Sequence, residues 1–282
     1  LVGSEMCIRD SDQAVQYFTE ALELSDGWVQ NVDYDMNYYL AAAYRKNGQP
    51  AEAKKVYDAI LGLKPEEKDA YFLRGSAELE LGDYESAKAD FDKAISMDPK
   101  NYDRLIEIYE ALADYGYREV GQEYLQNVLN TDKKLDAYDS GRIYYYLGDY
   151  QKAYLALEEA KGKGGVDSYL YLGKAYAATG DYNYASSVYS NYLSKQGPDA
   201  EIYNQLGLCE LEKKDYQKAL EAFQAGKQIE GNSLMQTLSF NEIVAYEYLQ
   251  DYQKAAVLLK AYLQNYPDDQ TAIREQQFLS TR

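Results

Sequence analysis

Val166–Asp199 reads VDSYLYLGKAYAATGDYNYASSVYSNYLSKQGPD, 34 residues that contain two helical patterns and one break. Gly173 and Tyr176 lie on the first pattern. Gly180-Asp181-Tyr182 interrupts it, and Ala185, Tyr189 and Tyr192 follow at i, i+4 and i+7, one face of a second helix. The same arrangement extends in both directions. The small residues Ala14, Ala53, Ala87, Gly121, Ala153, Ala185, Ala219 and Ala255 recur at steps of 39, 34, 34, 32, 32, 34 and 36. Four residues after each stands Phe18, Tyr57, Phe91, Leu125, Leu157, Tyr189, Phe223 or Leu259. Twelve before each of the last seven stands Ala41, Gly75, Tyr109, Gly141, Gly173, Gly207 or Ile243, mostly small, as the close approach of two helices requires. Tyr109, Gly121 and Ile243 depart from the pattern.

The punctuation agrees. Gly82-Asp83-Tyr84, Gly148-Asp149-Tyr150 and Gly180-Asp181-Tyr182 place a turn-forming glycine before an aspartate that can cap the next helix. Lys214-Asp215-Tyr216 and Gln250-Asp251-Tyr252 are variants. Pro65, Pro99 and Pro267 follow second helices, where the chain must leave the helix.

With a period near 34 residues and these small–large slots, the sequence resembles the tetratricopeptide repeat family over residues 12–282. The resemblance implies an all-α, right-handed superhelical solenoid of antiparallel helix pairs in a single domain. The first helix of each pair would line a concave groove. Full units are expected at 34–67, 68–101, 102–133, 134–165, 166–199, 200–233 and 236–269. A half repeat at 12–26 precedes them, and a polar-faced capping helix from Thr271 to Leu279 follows. Asp26–Asp33, with Trp28, reads as an enlarged loop, and Lys161–Gly165 as a flexible turn. Residues 1–10, LVGSEMCIRD, stand outside the repeat logic and look like a translated sequencing-library adapter, so residues 1–11 are expected to be non-native and the original start to be missing.

Composition narrows the function. The chain has 282 residues, 46% apolar, with 29 Lys and Arg against 47 Asp and Glu, a net charge of −18. An acidic chain without a basic stripe argues against nucleic-acid partners. The absence of histidine excludes Ser-His-Asp and Cys-His catalysis and His-ligated metal sites. No apolar run approaches a transmembrane span, and no phosphate-binding glycine loop appears. Glu158-Glu159 and Asp268-Asp269 are adjacent pairs that point apart on a helix. Cys209, on a first helix, reads as a buried apolar thiol. The reading is therefore non-enzymatic, with no catalytic residues, cofactor or metal site.

Roughly half of the 33 tyrosines occupy slots the repeat explains as packing. The family's groove-facing slots, carried onto this sequence, select Tyr38, Tyr138, Tyr145, Tyr146 and Tyr248, with Phe72 and Phe240. The same slots hold the cations Arg45, Lys46, Arg142 and Lys174 among ten carboxylates. Asn204 by itself does not complete the clamp with which some family members hold a chaperone's C-terminal carboxylate. The candidate ligand groove is thus Tyr38, Arg45, Phe72, Tyr138, Arg142, Tyr145, Tyr146, Lys174, Asn204 and Tyr248. Tyr138, Arg142 and Tyr145 share a helical face, and Arg142 with Lys174 is a candidate anion site. The expected function is a scaffold that holds a peptide segment or a partner protein in this groove. The alternative is a surface-exposed solute- or glycan-binding module. In style the sequence resembles tetratricopeptide lipoproteins of gut Gram-positive bacteria, which favours an extracytoplasmic, lipid-anchored location over a cytoplasmic one.

Overall fold

The computed structural model describes residues 12–21, 31–160 and 162–280. These divide into two compact units on either side of Thr131 and Asp132. The first holds α1 (12–21), α2 (Asn31–Lys46), α3 (Pro50–Leu63), α4 (Lys68–Glu80), α5 (Tyr84–Met97), α6 (Tyr102–Asp114) and α7 (Arg118–Thr131). The second holds α8 (Ala137–Tyr146), α9 (Tyr150–Ala160), α10 (Val166–Ala178), α11 (Tyr182–Lys195), α12 (Ala200–Glu212), α13 (Tyr216–Lys227), α14 (Met235–Tyr248), α15 (Tyr252–Asn265) and α16 (Gln270–Leu279). No strand occurs among the described residues. From α2 to α15 the hairpins fall where the repeat places them, and α16 closes the series. Asn31–Asp33, read as loop, already belongs to α2. Trp28, the adapter-like segment and Lys161 lie outside the described residues. Gly162–Gly165 forms a turn in which Gly162 and Gly165 take φ of 85° and 62°.

Seven turns between first and second helices share one hydrogen bond. The N–H of Gln49, Asp83, Tyr117, Asp149, Asp181, Asp215 or Asp251 donates to the carbonyl five residues earlier. The residue before each donor is left-handed: Gly48, Gly82, Gly116, Gly148 and Gly180, then Lys214 and Gln250 at φ of 63° and 62°. This is the Schellman arrangement, which satisfies carbonyls that a helix end leaves open. Asp83, Asp149, Asp181, Asp215 and Asp251 then accept an N–H from the first turn of the following helix. A recurring tripeptide thus ends one helix and starts the next.

Each hairpin is locked by a small residue facing a large one. Tyr57, Phe91, Leu125, Leu157, Tyr189, Phe223 and Leu259 are all buried to 1% exposure or less. A Cβ added at Gly173 would lie 2.3 Å from Tyr189 Cζ, one at Gly207 2.3 Å from Phe223 Cε1, and one at Gly141 2.5 Å from Leu157 Cγ. The third repeat reverses the roles. Tyr109 occupies the small slot of the first helix, and Gly121 makes room for it on the second, where a Cβ would meet Tyr109 Cδ2 at 2.9 Å. The departure at Tyr109 and Gly121 is therefore a compensated exchange of the same interlock. Ile243 packs with Ala255 and Leu259 in the last hairpin.

The packing and the turns set the effect of three substitutions. Gly173→Ala should cost about 1–3 kcal/mol in urea unfolding, because Tyr189 cannot retreat from a filled core. Gly62→Ala, in a helix with nothing within 4 Å, should be neutral or stabilising. Lys214→Gly should gain about 0.5–1 kcal/mol, since a left-handed side chain costs about 1–2 kcal/mol and glycine's chain entropy returns part of it. A fall in the unfolding midpoint for Lys214→Gly would contradict this account.

Candidate ligand-binding faces of the first helices

Within each unit, first helices of successive hairpins touch: α4 with α6, α8 with α10, and α10 with α12. Side chains cross these junctions. Arg45 on α2 donates from Nε and Nη2 to Glu80 Oε1 on α4, at 2.7 and 2.5 Å. Arg104 on α6 reaches Asp69 at 2.8 Å and lies 4.0 Å over the Phe72 ring. In the second unit the hydroxyls of Tyr146 and Tyr171 are 3.0 Å apart, Lys174 Nζ is 3.5 Å from Glu201, and Asn241 donates to Asn204 at 2.8 Å.

In the first unit these helices leave an open groove of about 550 Å³. It is lined by Tyr38, Tyr39, Ala42, Arg45 and Lys46 of α2, Tyr57 of α3, and Leu73 and Glu80 of α4. Tyr57 forms its floor, its ring 6.3 Å from that of Tyr38. Burial, and then the carboxylates of Glu67 and Asp69, push the Tyr38 hydroxyl well above the usual phenol range. Tyr39 is 61% exposed and stacks on Phe18 of α1. Arg45 is held by Glu80, whereas Lys46 is exposed and has no ion pair among the described residues. Phe72 stands outside this groove, between Phe91 and Arg104.

In the second unit the candidate residues separate. Arg142 is buried, with its guanidinium 4.3 Å over the Tyr138 ring and Nη2 2.5 Å from Asp139. Tyr138 closes on Gly164 of the α9–α10 turn, where a Cβ would come within 2.5 Å of the ring. Tyr145 meets Tyr146, Tyr150 and Tyr171 at 5.5–5.7 Å between ring centres. Lys174 lies one turn beyond Tyr171 on α10, on the same face. Arg142 and Lys174 each answer a carboxylate of their own, so the pair is not a ready-made anion site. Asn204 is buried against Asn241, and Tyr248, 53% exposed, stacks on Tyr216 at 4.9 Å. Sequence reading missed Tyr39, Arg104, Tyr171 and Asn241. Tyr171 carries a signal in retrospect, being the i−3 neighbour of Lys174.

On the opposite side of α4 lies an ionic cluster. Arg74 binds Asp90 through two hydrogen bonds and reaches Asp58 at 2.7 Å. Glu78, 3% exposed, lies 3.5 Å from Lys54, and its Oε2 has no hydrogen-bond partner. Burial, with Asp90 close by, pushes the Glu78 carboxyl up to about 7. Cys209 is buried, and burial pushes its thiol up to about 12, as suits a packing residue rather than a nucleophile. No group of metal-binding side chains occurs among the described residues. No helix among them is long and apolar enough to cross a membrane.

Stacked hairpins with adjoining first helices and side-chain-lined faces define a helical-repeat scaffold. Family models described as "Tetratricopeptide repeat" match residues 38–102 and 240–269, and one described as "Protein of unknown function (DUF1347)" matches residues 167–251. Tetratricopeptide repeats are thus present in the chain, and the family to which such repeats belong is generally one of non-enzymatic protein-interaction scaffolds. The chain is 42% identical over 62 residues to an FK506-binding protein-like protein of Mus musculus, a match covering 22% of this chain and 18% of that protein. Among solved structures, it is similar in fold to a tetratricopeptide repeat protein from Parabacteroides merdae, with TM-score 0.54, 15% identity, and coverage of 86% of this chain and 98% of that one. Yeast Tom70 matches with TM-score 0.64 and 16% identity, over 90% of this chain and 57% of its own.

The Glu78 cluster sets a pH dependence. A carboxyl raised from 4.5 to about 7 contributes stability that is fully present below pH 4.5 and is lost as the pH rises through 7. Capping carboxylates act oppositely: Asp83, Asp149 and Asp215, lowered by hydrogen bonds from Ser86, Lys152 and Lys218, lose their contribution only as the pH falls below 3.8. Glu78→Gln should therefore raise the thermal midpoint at pH 8 and leave it nearly unchanged at pH 5. Equal shifts at both pH values would show that Glu78 is ionised throughout.

Proposed function

We propose that the chain is a non-enzymatic scaffold that holds a segment of another protein, anchored in the groove between α2 and α4. The observation that supports this reading is the groove itself. Two residues selected from sequence, Tyr38 and Arg45, line it together with Tyr39, Tyr57 and Leu73. Its volume of about 550 Å³ suits one large apolar side chain and the backbone on either side of it. Tyrosines supply contact area with little side-chain entropy to lose, and Lys46 at the mouth favours a carboxylate beside the anchor. The Tyr145, Tyr146 and Tyr171 cluster with Lys174 is a second contact in this reading. A compact aromatic patch of that kind also suits a sugar ring, so a glycan-binding role is the second reading.

Ala42 is exposed on the groove wall, so Ala42→Trp fills the space from a solvent-facing position. After circular dichroism confirms an unchanged fold, partner peptides selected from an array by the wild type should bind the variant about tenfold more weakly or worse. Tyr171→Ala should affect them less. If Ala42→Trp binds the same peptides with unchanged affinity, the groove is not the anchor. A glycan array that responds to Tyr171→Ala but not to Ala42→Trp would favour the second reading.

A further inference from the structure

Five of the seven hairpin turns put glycine at the left-handed position, but the last two put Lys214 and Gln250 there. Left-handed backbone disfavours a side chain, and nothing in the turn hydrogen bonding requires one, since Asp215 and Asp251 make the same bond as Asp83 or Asp181. Both side chains are exposed. The two turns are joined in space, because Tyr216, two residues after Lys214, stacks on Tyr248, two residues before Gln250, at 4.9 Å and 13° between planes. Tyr248 is 53% exposed and Leu249 36%, so an aromatic ring and an aliphatic side chain face water beside the two polar ones. Of the neighbouring lysines, Lys213 binds Glu210 at 2.8 Å and Lys218 binds Asp215 at 2.7 Å. Lys214 has no ion pair among the described residues, a free cation in a chain of net charge −18.

We propose that the paired turns at Lys214 and Gln250, with Tyr248 and Leu249, form a docking surface for an acidic peptide segment that carries an aliphatic or aromatic side chain. This surface is built from turn residues of the second unit and is independent of the groove between α2 and α4. The apolar side chain packs on Tyr248 and Leu249, the carboxylate answers Lys214, and Gln250 offers an amide to the segment's backbone. The stack on Tyr216 fixes Tyr248, so the ring is in place before the partner arrives.

Lys214→Gly separates binding from folding, because glycine suits the left-handed turn and leaves the chain at least as stable. The probe is an array of synthetic twelve-residue peptides in which Leu or Phe is placed beside Asp, Glu, Lys or Asn. Wild type should favour Leu or Phe beside Asp or Glu, with binding that weakens as salt rises. Lys214→Gly should lose about threefold on those peptides, the scale of one exposed ion pair, while its thermal midpoint stays level or rises. Lys214→Glu should shift preference toward the Lys-bearing peptides. Because the groove also suits an apolar side chain beside a carboxylate, the comparison is repeated in the Ala42→Trp background, where the loss caused by Lys214→Gly should persist. If wild type retains no acidic peptide, or if Lys214→Gly and Lys214→Glu bind the same set with wild-type strength, the proposal is overturned.

Discussion

The contact on which this structure depends is the meeting of a small residue on one helix of a hairpin with a large residue on the other. Tyr189 under Gly173, Phe223 under Gly207 and Leu157 under Gly141 bring the helix backbones so close that no Cβ fits between them. That proximity requires the chain to reverse within a few residues. The shared Schellman bond and the capping aspartate provide the reversal without leaving helix-end groups unsatisfied. The interlock tolerates exchange of roles, as Tyr109 over Gly121 shows.

Once hairpins are rigid, what remains variable is the face that successive first helices present. The two units treat it differently. In the first, the Arg45–Glu80 pair borders the open α2–α4 groove, and Arg104 joins Asp69 to the Phe72 ring. In the second, tyrosines meet one another edge-on, and Lys174 and Asn204 are tied to neighbours. Cations such as Arg45, Arg74, Arg104 and Lys227 form ion pairs within or between hairpins.

Much of the fold was legible because the interlock and the turns recur at fixed offsets along the chain. Ala185 to Tyr189 is one helical turn, and Gly180-Asp181 marks a break, whatever lies around them. The candidate face was less legible. Tyr57 reads as a packing tyrosine from its slot, yet it also floors the groove. Arg142 reads as a groove cation from its slot, yet it is buried under Tyr138 beside Asp139. Tyr248, placed in the groove by the same slot assignment, has its ring stacked on Tyr216.

The sequence by itself determined the helices, their pairing into hairpins, the turns and the small–large contacts, since all of these join residues fewer than about twenty apart through helical geometry. Only the tertiary structure decided which tyrosines and cations stay available to a partner. That choice depends on contacts such as Arg45–Glu80, 35 residues apart, and Asn204–Asn241, 37 apart. Their existence turns on how one hairpin rotates and shifts against the next, and no periodicity within a single repeat specifies that packing.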